Sequence, residues 1–249
     1  MLRRRGQNLG MNDIRTETIE IPTADGPMTA YVAHPAGTPI GGVVVVQEAF
    51  GLTGHLHRVT ESLAAAGFVA VAPALYHRSE QQVFGYTEYE TMGPVIMSLT
   101  GESITMDIDA ALGELTRLGQ APDSQGIIGF CMGGSVTLAT AARLTLGAAV
   151  TFYGGGISEG RFGLESGLAY GSELRTPWLG LYGDLDAHIP SDEVEQLRSL
   201  AATSAVRTEV VRYADADHGF HCDERASFHA ESSADAWGRT IEFLSENLA

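Results

Sequence analysis

An α/β sandwich, a mostly parallel central sheet with helices on both faces, is the fold class that this 249-residue sequence predicts. Three observations predict it. Short apolar runs recur along the chain, and unbroken hydrophobicity, unlike alternation, marks strands buried on both faces. Amphipathic helical stretches separate most of those runs, and strand–helix alternation implies parallel strands joined by right-handed crossovers. Polar or reactive residues directly follow several of the runs, where open α/β sheets hold their ligands.

The chain starts "MLRRRGQNLGMNDIRTE", a basic cluster with no apolar stretch behind it, so a secretory signal is not expected. Residues 1–15 read as a flexible tail, with Met11 a second candidate start, and 16–249 as a single domain. Strands near 16–21 and 28–34 flank "TADGP" and are expected to pair as an antiparallel hairpin. "GVVVVQ" (42–47) and "FVAVAP" (68–73) are buried strands around a helix at 56–66. A helix at 104–119 precedes the strand "GIIGF" (126–130), and a helix at 133–144 precedes "AAVTFY" (148–153). "PWLGLYG" (177–183), a helix at 191–202, "TEVVRY" (208–213) and a helix at 230–247 complete the series. The long stretches 79–103 and 153–176 are expected to roof a pocket, with Phe84, Tyr86, Tyr89, Met92 and Met97 offering apolar walls.

Composition removes whole classes of function. Thirty-one acids against 15 bases leave a net charge of −16 and no basic stripe for phosphates, so no nucleic-acid partner is expected. Every base is arginine; without lysine there is no Schiff-base or P-loop lysine chemistry. No apolar run reaches the roughly 18 residues of a membrane helix. The expectation is a cytoplasmic monomer or small homo-oligomer. Two cysteines are too few for a disulfide framework or a Cys-rich zinc site. His55 with His57, and His218 with His221, lack further ligands in sequence, and H-E-x-x-H is missing, so neither metal nor cofactor is expected. A dinucleotide fingerprint fails at 129–134, where Cys131 takes the place of a glycine.

That cysteine is the focus. Gly129-Phe130-Cys131-Met132-Gly133 has the shape of a nucleophile elbow, a sharp strand-to-helix turn that lifts its central side chain clear of the sheet. The helix behind it aims free N–H groups and a positive dipole end at the thiol, which favours a thiolate. The N–H of Met132 is one expected oxyanion donor, and Ala49, in the loop after an earlier strand, supplies the other. Nucleophile, acid and histidine follow in the α/β-hydrolase order as Cys131, Asp186 and His218, each just past a strand. Asp184 competes with Asp186 for the acid. A second reading is thiol-based redox chemistry, with Cys222 as a resolving thiol, or ligand binding without catalysis on the same fold.

The motifs "QEAFGL" (47–52), "PALYHR" (73–78), "GFCMGG" (129–134), "FYGGGI" (152–157), "YGDLDAHIP" (182–190) and "ADHGF" (216–220) resemble those of the dienelactone hydrolases, or carboxymethylenebutenolidases, from about residue 17 onward. The resemblance implies an α/β-hydrolase fold and hydrolysis of a small ester or lactone, anionic ones included, by a Cys-His-Asp triad through a thioester. It implies Cys131 as nucleophile, His218 as base and later acid, and Asp186 as the acid, since the family motif puts that acid between Gly183 and Ile189-Pro190. It implies that Glu48 hydrogen-bonds the resting thiol until substrate arrives. Tyr153 is expected among the substrate-binding residues, with two arginines holding a substrate carboxylate. Arg78 matches the first arginine. The second falls where this chain has Cys222, and Arg225, three residues on, is the expected substitute if the loop bends.

Overall fold

A computed structural model describes residues 14–249; the bulk of the expected tail, with the choice between Met1 and Met11, lies outside the described residues. The hairpin forms as β1 (Arg15–Thr23) and β2 (Gly26–His34), paired antiparallel from Arg15↔His34 to Thr23↔Gly26. Its turn closes on Gly26, whose φ of 114° suits a residue without Cβ, and Thr23 Oγ1 donates to the Gly26 carbonyl.

The valine- and alanine-rich runs become β3 (Gly42–Val46), β4 (Val69–Pro73), β5 (Gln125–Phe130), β6 (Ala148–Phe152) and β7 (Trp178–Gly183), in which every residue is buried. β8 (Thr208–Tyr213) is only half-buried, as an edge strand should be. The sheet order is β1-β2-β4-β3-β5-β6-β7-β8; β2 runs antiparallel to β1 and β4, and all other pairs are parallel. From β3 the chain crosses first to β4 and then back to β5 on the other side. The carboxyl ends of β3 and β5 therefore border the switch point where a crevice opens.

The principal helices are α1 (Gly54–Ala65), α3 (Gly101–Arg117), α4 (Met132–Arg143), α6 (Ser191–Ala201) and α7 (Ala230–Leu248). Both faces of β5 are covered. A Cβ on Gly126 would meet Leu244 and Leu248 of α7, whereas one on Gly129, pointing the opposite way, would meet Gly133 and Thr137 of α4. α3 starts three residues before the expected position because Thr100 caps it: Thr100 Oγ1 accepts from Ser103 N–H and Ser103 Oγ from Thr100 N–H. The stretch 79–103 also contains α2 (Tyr89–Met97), a short helix with Pro94 inside it and no fully buried residue, and 153–176 contains α5 (Gly167–Gly171). Neither had a readable period, because packing at the pocket rim rather than a core-facing stripe holds them.

Candidate active site

Cys131 is the single residue between β5 and α4, and its φ of 55° and ψ of −116° are strained for a side chain with a Cβ. Tight packing enforces that turn. A Cβ on Gly133 would collide with the Val46 and Gln47 carbonyls at the end of β3, and one on Gly134 would lie 2.8 Å from Gly154 Cα. The backbone is pinned from both sides: Cys131 N–H donates to the Phe152 carbonyl at 3.1 Å, and its own carbonyl accepts from Gly134 at 2.9 Å. Met132 opens α4, so its N–H has no intrahelical acceptor and is free for a ligand.

Across from the sulfur stands His218. Its Nδ1 lies 2.6 Å from Asp186 Oδ2, and the other Asp186 oxygen accepts the His188 N–H at 2.8 Å. A buried carboxylate on Nδ1 sets the tautomer and leaves Nε2 toward the cavity. Burial opposes charge on this ring, but the Cys131 sulfur and Asp186 outweigh it and push the imidazole up to about 10. Asp184 is occupied elsewhere, with Oδ1 taking the Arg212 Nε–H at 2.6 Å. Of the two candidate acids, only Asp186 touches the histidine.

A cavity of about 450 Å³ opens over these groups, with Cys131, His218, Met132 and Ala49 all on its wall. Phe50, Tyr89, Met92, Ile96, Phe162 and Ile189 make much of it apolar, while Arg161, Arg225 and His188 supply polar groups. Behind the wall, at the end of β3, Glu48 is fully buried. The Tyr153 hydroxyl donates to its Oε1 at 3.5 Å, Arg225 Nη1 stands 3.5 Å from the same oxygen, and Oε2 has no partner. Burial raises the Glu48 carboxyl, against the pull of Arg225 and His218.

Residues 28–248 match the model of the dienelactone hydrolase family. The chain belongs to that family. A Synechocystis sp. relative, provisionally named a carboxymethylenebutenolidase, is 34% identical over 95% of this chain and 98% of its own. The Pseudomonas putida carboxymethylenebutenolidase is 27% identical over 92% of this chain and 96% of its own. A crystal structure of a provisionally assigned dienelactone hydrolase from Klebsiella pneumoniae superposes with a TM-score of 0.87 at 34% identity, covering 94% of this chain and 99% of that one. The α/β-hydrolase fold and the class of enzyme, a carboxylic ester hydrolase acting on esters or lactones, follow. Among the described residues no helix is long and apolar enough to cross a membrane.

Several expected site residues are placed differently from what the sequence predicts. Arg78 does not reach the cavity: its guanidinium clasps the fully buried Asp107 at 2.7 and 2.9 Å and bonds Asp25 at 2.8 Å. α3 brings Asp107 beneath the "PALYHR" loop, and a buried carboxylate holds the nearest cation. Tyr153, with φ at 37°, is fully buried and meets Glu48 rather than the cavity. Glu48 itself is bonded by Tyr153 and faced by Arg225, with no hydrogen bond to the Cys131 sulfur among the described residues; Arg225 balances the carboxylate, and His218 takes the sulfur's side. Arg225 does arrive. The loop after His218 turns at Gly219, φ 80°, where a Cβ would collide with the guanidinium, and Arg225 lies 5.8 Å over the Phe50 ring on the cavity wall.

Of the expected roof residues, Tyr89 and Met92 line the cavity, Phe84 packs in the core, Tyr86 lies against Phe50, and Met97 points to solvent. Sequence reading missed Arg161, Phe162 and His188. His188 stands inside "YGDLDAHIP" and was within reach of the motif, but nothing local marks Arg161.

Proposed function

We propose that this enzyme hydrolyses a small ester or lactone through a thioester on Cys131. The observation that carries the reading is the strained elbow, which holds Cys131 on one cavity wall with the His218–Asp186 pair. The Cys131 thiolate attacks the carbonyl carbon, and the carbonyl electron pair moves to oxygen, where the N–H groups of Met132 and Ala49 receive the negative charge. Collapse breaks the bond to the leaving oxygen, which takes its proton from His218 Nε2. Water then attacks the thioester while His218 accepts its proton, and the acid departs as the thiolate is restored. In a lactone the leaving oxygen stays tethered, so an enolate leaving group can itself help to activate that water. Asp186 keeps the imidazole in the tautomer that both proton transfers need.

Glu48 acts from behind. As a buried carboxylate neutralised by Arg225, it tunes the field at the sulfur without touching substrate. Arg225 and Arg161 on the wall favour a substrate that carries a carboxylate. No cofactor enters these steps. Two free cysteines suit a reducing compartment such as the cytoplasm.

The test is the rate of dienelactone hydrolysis before and after alkylation of Cys131, confirmed by mass spectrometry. Turnover abolished by alkylation, with an acyl adduct on Cys131 trapped by acid quench, is expected. Undiminished turnover after full alkylation overturns the mechanism.

A further inference from the structure

Beyond the catalytic cavity, the loop that carries His218 folds against the start of α1 and forms a second cluster. The ligand-capable atoms of His55, Cys222 and Asp223 all lie within 4.8 Å of one another, although His55 is distant from the other two in sequence. A cavity of about 290 Å³ adjoins them, lined by His55, Arg58, His221, Asp223, Ser233 and Trp237. The proposed reaction uses none of these groups. His55 is only 4% exposed, yet its Nε2 has no hydrogen-bond partner, while Nδ1 sits 3.5 Å from Asp223 Oδ1. The almost fully buried His55 ring thus has one nitrogen without a hydrogen-bond partner and the other facing the Asp223 carboxylate, a state that calls for an explanation.

We propose that His55, Cys222 and Asp223 form a binding site for a zinc-class divalent transition metal. The donor set is one nitrogen, one sulfur and one oxygen, the mixture that borderline cations such as Zn²⁺ and Co²⁺ accept. Donors around a tetrahedral ion at ~2.0–2.3 Å stand ~3.3–3.8 Å apart, so small side-chain movements close the site, and the adjoining cavity admits water as a fourth ligand. Binding deprotonates the thiol: the metal–sulfur bond forms as the S–H bond breaks, and the proton leaves to solvent. Cys222 now donates to the Tyr86 hydroxyl at 3.2 Å, and that hydroxyl can turn to donate to the metal-bound sulfur. Arg58 is the resident counter-charge, 2.6 Å from Asp223 Oδ1 and 2.7 Å from Glu224 Oε1. The metal competes with it for Asp223, and Glu224 retains it. The ion would tie the first turn of α1 to the loop that bears the catalytic histidine.

The test uses untagged full-length protein carrying Cys131→Ala, in which Cys222 is the sole remaining thiol. Titration with Co²⁺ should produce a thiolate-to-cobalt charge-transfer band that saturates at one equivalent and is quenched by Zn²⁺. Adding His55→Gln or Asp223→Asn to that background should weaken cobalt binding tenfold or more. Absence of the band at millimolar Co²⁺, or a titration unchanged by both substitutions, overturns the assignment. If a double variant does not fold, the Tm of the Cys131→Ala protein decides: Zn²⁺ raises it if the site exists and leaves it unchanged if not.

Discussion

In the loop that follows β8, His218 faces Asp186 and Cys131, while His221, three residues on, is stacked 5.5 Å from Trp237 and 5.6 Å from Phe130. Both rings are half-buried, and loss of water penalises the charged form of each. At His218 the Cys131 sulfur and Asp186 reverse that penalty, and the ring is pushed up to about 10. At His221 the hydroxyl of Ser233, 2.8 Å from Nδ1, is the hydrogen-bond partner; burial dominates, helped by neighbouring His55, and the ring is driven down to about 3. One short loop thus holds an imidazole that takes protons and another that refuses them. Partner chemistry, not depth, decides which histidine can be a base.

The comparison can be broken most forcefully at the sulfur. Cys131→Ala should reduce ester turnover by at least about 10⁴-fold, read as the steady-state rate, because it removes the proposed nucleophile. Next is the acid. Asp186→Asn should lower kcat by about 10²–10⁴-fold through the wrong tautomer of His218. Asp184→Asn should change kcat less than severalfold, because its carboxylate meets Arg212. The reverse ranking would move the acid's role to Asp184.

The other half of the comparison is tested by acid. His221 and His55, held down at about 3 and about 4, stay neutral in the folded protein where the unfolded chain, near 6.5, binds protons. The unfolded state then holds more protons, so stability is full above about 6.5 and declines as pH falls toward those lower values. In chelator-treated protein, urea unfolding between pH 7 and 4 should reveal losses on the order of 3 kcal/mol from each of these two rings. His221→Asn should flatten that slope, whatever it does to stability at pH 7. An unchanged slope would mean that His221 is not the neutral ring described here.

The smallest expected effect sharpens the contrast between the arginines. Arg225→Gln should lower kcat/KM for carboxylate-bearing esters about tenfold relative to neutral ones, through loss of a charge-assisted contact. Arg78→Gln should leave that ratio alone and instead reduce stability by about 1–3 kcal/mol, since Asp107 loses its bidentate partner. A selectivity change in Arg78→Gln would put that side chain at the substrate.

Much of the fold was legible because local requirements wrote it into the chain. Five strands with every residue buried must read as unbroken apolar runs, and the turn at Cys131 needs glycine wherever β3, β5 and α4 touch. The cap of α3 is written in Thr100 and Ser103, whereas its buried apolar period starts only at Ile104. α2 left no trace because it buries no side chain fully. Membership of the family was readable from motifs, whereas the fate of Arg78 was not, because Asp107 reaches it from α3, far along the chain.

The sequence by itself determined the α/β-hydrolase sheet, the elbow at Cys131, the chain order of the proposed nucleophile, acid and histidine, and the family. Each depends on neighbours in sequence or on the periodic burial of whole elements. Only the tertiary structure decided that Arg225 rather than Arg78 meets the cavity, that Glu48 lies behind the wall with Tyr153 and Arg225, and that His55 joins Cys222 and Asp223. The reason is physical. A charged side chain goes to whichever opposite charge the fold brings within a few ångströms, and that partner is set by packing between distant elements, which no local spacing records.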